Sequence, residues 1–139
     1  MRILGIDYGS RRIGLALGDT DSRIASPWGV LPNEGIELII DRLSDMVQRD
    51  DIEKFVVGIP KPLRKADAEN PQVRETKEFI EALRDAGFVV DTENEALTSK
   101  LAQRQAEEAG DWRKRDDLAA AAILQSWLDR KKKGGGSRK

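Results

Sequence analysis

The chain opens on an apolar run, "RILGIDY", broken by the polar turn "GSRR" and resumed in "IGLALGD". Two such runs around so short a turn read as a β-hairpin. "IASPWGVLP" reads as a third, short strand, which Pro27 confines to an edge or an irregular course because proline gives no N–H to a ladder. The period then changes: Ile36, Ile39, Ile40, Leu43 and Val47 recur at helical spacing. "KFVVGIP" is an apolar run that stops at Pro60, as a buried strand would, and "KPLRKADAEN" is a polar loop. Asn70 before Pro71 supplies an N-cap and a first-turn proline for a helix carrying Val73, Phe79, Ile80 and Leu83, which stops at Gly87. "FVVDTENE" is the next strand, and Thr98 caps a helix over "SKLAQRQAEEAG" that ends at Gly110. "DDLAAAAILQSWLDRKKK" is a last helix. The order β-β-β-α-β-α-β-α-α predicts an α/β domain over residues 1–130, with a mixed sheet and helices on it. Residues 131–139 read as a basic, glycine-rich, disordered tail.

Three acids fall at element ends. Asp7 ends the first strand, Glu95 ends "FVVDTENE", and Asp117 opens the last helix. Asp117 lies in line with Ala121, Leu124 and Leu128, so it points toward the sheet, whereas Asp116 is rotated about 100° away. An acid aimed at a buried face costs free energy unless something compensates it, and ligands of open α/β sheets sit at strand ends. A cation between the three would supply that compensation. Each acid alone also fits a plain structural role: a turn former, a capping residue, a first-turn acid on the helix dipole. Glu93 shares the strand parity of Glu95 and is a weaker candidate.

Composition narrows the chemistry. The 139 residues suffice for one domain with a core. No apolar run reaches the ~20 residues of a membrane span, and no basic-then-apolar leader opens the chain, so a cytoplasmic protein is expected. There is no cysteine, which removes disulfides, thiolate zinc sites and cysteine nucleophiles. Histidine is absent too, and with it the usual proton shuttle near neutral pH and the commonest transition-metal ligand. Any catalysis must run through carboxylates, and hence through a hard cation. The net charge of −1 conceals an uneven distribution. Residues 113–139 hold nine Lys and Arg against three acids, so the C-terminal end is suited to a polyanion, or serves as a solubilising tail.

Four motifs in order, "GIDYGSRRIGLALGD", "FVVGIP", "NEALTS" and "DDLAAAAILQSWLD", resemble the RuvX/YqgF family of RNase H-like bacterial nucleases, over roughly residues 2–129. Its members are described as Holliday junction resolvases or as nucleases maturing the 5′ end of pre-16S rRNA. The resemblance implies a five-stranded mixed sheet whose first three strands are antiparallel. It places the family's catalytic, metal-holding acids on Asp7, Glu95 and Asp117, the same three that the face arguments select. Two Mg²⁺ (or Mn²⁺) ions about 4 Å apart would suit phosphodiester cleavage there. Two departures affect substrate recognition. Asn94, Glu95, Ala96, Leu97 and Thr98 stand where the family has D-E-R-L-T, and "KPLRKADAEN" replaces a short Asn- and Gly-containing loop. Lys61, Arg64 and Lys65 would supply phosphate contacts in that loop's place, joining Gly9, Ser10, Arg11 and Arg12 on the hairpin and Thr98.

The expected function is a metal-dependent endonuclease on structured nucleic acid, with pre-rRNA, ribosome precursors or branched DNA as partners, acting as a monomer or homodimer. The alternatives are a non-catalytic RNase H-like nucleic-acid-binding module and a nucleotide-binding protein whose D-x-G-S hairpin resembles that of actin-like and sugar kinases. The latter fold needs two related domains, and 139 residues provide one.

Overall fold

The computed structural model describes residues 1–59, 71–94 and 115–137, with backbone alone at 115–116 and 132–137. Among these residues the chain forms β1 (Arg2–Tyr8), β2 (Arg12–Asp19), β3 (Ala25–Pro32), α1 (Ile36–Asp50), β4 (Ile52–Ile59), α2 (Pro71–Asp85), β5 (Val90–Asn94) and α3 (Arg115–Ser137). The strands make one sheet in the order β3-β2-β1-β4-β5. β1 and β2 pair antiparallel, as do β2 and β3, while β1–β4 and β4–β5 are parallel. This is the expected mixed sheet, and the proline-bearing β3 lies at its edge. The loop at 61–70, the Asn70 cap and the Thr98-capped helix lie outside the described residues.

Alternation along β1 sends its residues to two cores. Leu4 and Ile6, with Ile13, Leu15, Phe55 and Val57, pack against Ile39 and Leu43 of α1 and Phe79, Ile80 and Leu83 of α2. The Tyr8 ring stacks on Phe79 at 4.4 Å. On the other face Ile3, Ala16 and Val56 meet Ala120, Ile123, Leu124, Trp127 and Leu128 of α3. Ala121, placed on the stripe from the sequence, is only partly buried, and Ala120 takes its place. The shift follows from where α3 touches the sheet. A Cβ built on Gly5 would stand 2.7 Å from the Leu124 Cβ and 3.0 Å from the Ala120 carbonyl oxygen. The helix therefore rests directly on the β1 backbone, and its contact line runs through Ala120.

Gly5→Ala is accordingly expected to push α3 off the sheet and destabilise the fold by about 1–3 kcal/mol, the usual cost of overpacking. Thermal melting checks this, since an unchanged melting temperature is incompatible with so close an approach.

The direction of α3 follows from the same contacts. A Cβ on Gly18, the partner of Ile3, would meet Leu124 and Leu128, whereas at Gly5 the neighbours are Leu124 and Ala120. One helical turn toward the N-terminus thus corresponds to two residues up β1. Along β1 the N-terminal end of α3, with Asp117, runs toward the Asp7 end of the strand. The backbone of α3 is helical from Arg115 to Ser137.

Candidate active site

Asp7 lies near the C-terminal end of β1, on the α3 face with Ile3 and Gly5, and is half-buried. Its partner on β2 is Gly14. On β4, Val57 pairs with Ile6, which sets Gly58 beside Asp7, and Gly58 in turn pairs with Glu93 on β5. Directly paired residues share a face. The row Gly14, Asp7, Gly58 therefore carries one side chain, a carboxylate, between two positions that have none. Neither flanking strand position puts a Cβ beside the acid, and this glycine-flanked strand end is the bay of the candidate site.

Asp117, in the first turn of α3, is 7% exposed. The donors that Asp7 and Asp117 offer are hard oxygens, which match Mg²⁺ or Mn²⁺. The residues present therefore fit the ions that the resemblance implies. Among the described residues no three acids stand close enough to hold a metal. Glu95, one residue past the end of β5, lies outside them, as do Lys61, Arg64, Lys65 and Thr98.

The hairpin turn borders the same end of β1. A Cβ on Gly9 would come within 2.5 Å of the Arg12 carbonyl oxygen, so the turn needs glycine there. Asn33 straps it from the far strand: its Nδ2 donates to the Gly9 carbonyl at 2.7 Å and its backbone N–H to the Arg11 carbonyl at 2.9 Å. Ser10, Arg11 and Arg12 are exposed on that braced turn.

Glu93 has another employment. Its Oε2 accepts from the Ser126 hydroxyl at 2.7 Å, and Oε1 pairs with the Arg130 guanidinium. It ties β5 to α3. Two residues earlier Asp91 does likewise, accepting from the Trp127 indole N–H at 2.7 Å. Burial alone would raise the Asp91 pKa, but the Trp127 and Thr92 hydrogen bonds and the charges of Lys131 and Lys54 outweigh it and hold the carboxyl below its ordinary value.

Sequence reasoning missed Gly14 and Gly58, which open the bay, and Asn33, which braces the turn. The glycines left a signal, since each interrupts an otherwise apolar strand, and such a glycine often marks close approach of a ligand or backbone. Nothing local marked Asn33.

Comparison with known proteins agrees with this architecture. The family described as "RuvX: Holliday junction resolvase" matches residues 1–130. A protein named "Putative pre-16S rRNA nuclease" from Syntrophomonas wolfei is 38% identical over 135 residues, covering 93% of this chain and 94% of the relative. One of the same name from Thermus thermophilus is 37% identical, covering 94% and 98%. Among solved structures, T. thermophilus RuvC in complex with a Holliday junction substrate superposes with a TM-score of 0.60 at 16% identity, over 94% of this chain and 96% of that one. The fowlpox virus Holliday junction resolvase gives 0.56 at 15%, over 94% and 99%. At such low identity these two establish the fold, which is RNase H-like. Matched along nearly its whole length by both profile and relatives, the chain belongs to the RuvX family.

Proposed function

We propose that this protein is a divalent-metal-dependent endonuclease that hydrolyses phosphodiester bonds in structured nucleic acid, in 5′-end processing of pre-16S rRNA, in resolution of Holliday junctions, or in both. What supports the reading is Asp7 at the end of β1 between Gly14 and Gly58, together with a buried Asp117 in the first turn of α3, in a chain of this family.

In this reading Asp7, Glu95 and Asp117 hold two ions, Mg²⁺ or Mn²⁺. When bound, such ions lower the pKa of water and neutralise charge on the phosphate. Asp7 is anchored in the middle strand of the sheet, so its oxygens keep their position through turnover. Asp117 is held by a helix seated on the β1 backbone. The chain has no histidine to shuttle a proton, and its carboxylates act as ligands and acceptors. Gly9, Ser10, Arg11 and Arg12 on the braced turn, with Thr98, seat the phosphates beside the scissile one. Residues 1–130 form the nuclease domain. The protein works in the cytoplasm on ribosome precursors or branched DNA, as a monomer or, for paired cuts across a junction, as a homodimer. No helix among the described residues is long and apolar enough to cross a membrane.

The test is direct. Purified protein is incubated with a 5′-extended 16S leader RNA and with a four-way DNA junction, each with Mg²⁺, Mn²⁺ or a chelator. Metal-dependent cleavage of at least one is expected, and failure on both overturns the proposal.

Lys61, Arg64 and Lys65 follow β4, whose end borders the bay. An apo site built of carboxylates repels a polyanion, so cations at its rim must draw phosphates in. Replacing all three with alanine is expected to weaken binding to every nucleic acid tested and to flatten the log–log salt slope by about 0.7–0.9 per lost contact. The rate at saturating substrate falls far less. Normal affinity with an unchanged slope would show that the segment is a solvated linker.

A further inference from the structure

At the opposite end of the sheet from the acids lies a cavity of about 340 Å³ whose lining includes Arg23, Lys54, Lys131, Trp127, Leu128 and Thr20. Its chemistry differs from that of the bay. The Lys54 and Lys131 ammonium groups stand 5.3 and 5.4 Å from the centroid of the same Trp127 ring. Cation–π attraction offsets part of the repulsion between them. Among the described residues neither lysine nor Arg23 forms an ion pair. The acid that faces the two lysines is Asp91, whose two oxygens accept from the Trp127 indole and the Thr92 backbone N–H. The two lysines thus share one carboxylate that already has hydrogen-bond partners, while the Gln125 amide that holds the Arg23 carbonyl also donates to Asp129.

Arg23 is held there at a cost. Its backbone is left-handed (φ 61°), a conformation that non-glycine residues seldom adopt and that often accompanies function. Its N–H donates to the Asp19 carbonyl at 2.8 Å, and its own carbonyl accepts from Gln125 Nε2 of α3 at 2.9 Å. The turn is fixed to the helix that carries Lys131. The sequence beyond Lys131 adds Lys132, Lys133, Arg138 and Lys139, the basic end that the active site leaves unused.

We propose that Arg23, Lys54 and Lys131 form a second phosphate-binding site, which holds the nucleic-acid backbone flanking the cleaved segment. The inference rests on nucleic acid being the substrate, as proposed above. Lys54 pairs with Ile3, four residues before Asp7, which sets the site roughly 13 Å along the sheet from the acids. Trp127 lies ten residues after Asp117, or about 15 Å along α3. A strand entering at the bay reaches the cluster after a few nucleotides, at 3.4 Å per step or more. The site therefore distinguishes long substrates from short ones and contributes affinity without touching the reacting phosphate.

The test compares fluorescein-labelled RNAs with about 12 or about 2 nucleotides on either side of the cleavage point, by anisotropy across a salt series. For the variant R23Q/K54Q/K131Q we expect about tenfold weaker binding of the long RNA and a salt slope shallower by about 2, from roughly 0.7 per single-strand phosphate contact. The short RNA binds within about twofold of wild type, since by the same contact count it never reaches the cluster. R23K/K54R/K131R, which keeps the charges, restores the long-RNA affinity. Lys131→Gln alone, at an exposed residue, gives the same pattern at about one contact and guards against misfolding of the triple variant. Equal weakening of both RNAs, or of neither, overturns the proposal. Calorimetric titration with inorganic diphosphate separates the source of the phosphate. Diphosphate binding lost in the variant while long-RNA affinity stays intact assigns the site to a free anion and overturns the backbone reading. If wild type cleaves but gains nothing from flanks, this inference alone fails. If it cleaves nothing yet shows flank-dependent binding through these residues, the nuclease reading alone fails.

Discussion

Asp7→Asn is expected to lower the rate of metal-dependent cleavage at least about a thousandfold, equivalent to roughly 4 kcal/mol of transition-state stabilisation, while the protein stays folded. Asparagine keeps the shape and one carbonyl oxygen but loses the charge that holds a hard cation. Nothing else in the row can replace it, because its neighbours Gly14 and Gly58 carry no side chain. Glu93, the next acid in the row, is occupied by Ser126 and Arg130. In the absence of metal the melting temperature should stay level or rise, since one of two mutually repelling carboxylates has been neutralised. Cleavage assays and thermal melting of the same preparation separate the two effects. Wild-type activity in the mutant would remove Asp7 from the site, and a collapse in stability would make it a structural residue.

Asp117→Asn should be nearly as damaging, and Asp116→Asn should not. The contrast between adjacent residues is the informative part. Asp117 is buried, in line with Ala120 and Leu124 along the contact face of α3. Asp116 is the neighbouring position, displaced by about 100° around the helix axis. Both variants remove one negative charge from the first turn of a helix, so any loss through the helix dipole is common to the two. Parallel rate measurements cancel that shared contribution. Comparable losses in both would mean that the charge of the turn matters rather than the position of one carboxylate.

The sequence by itself determined the hairpin, the phases of α1 and α2, the placement of Asp7 at a strand end and the inward aim of Asp117. These are local properties: a period of 2 or 3.6 and a turn or cap residue act within one element, where backbone geometry alone decides which side chains share a face. The tertiary structure decided what stands opposite those faces. That Gly14 and Gly58 flank Asp7 is a matter of register across three strands, set by the packing of two cores rather than by any one segment. That Ala120 and not Ala121 meets the sheet depends on how closely α3 settles on Gly5, which the helical period cannot resolve to one residue. Glu93 shares the parity of a metal ligand, yet its partners Ser126 and Arg130 are 33 and 37 residues away in the chain. Likewise Lys54 and Lys131 are ordinary charges in the sequence, and only the parallel pairing of β4 with β1 and the antiparallel course of α3 bring them onto one indole ring. Periodicity fixes the direction of a side chain from its own element, whereas the identity of its partner is set by the free energy of the whole packed sheet.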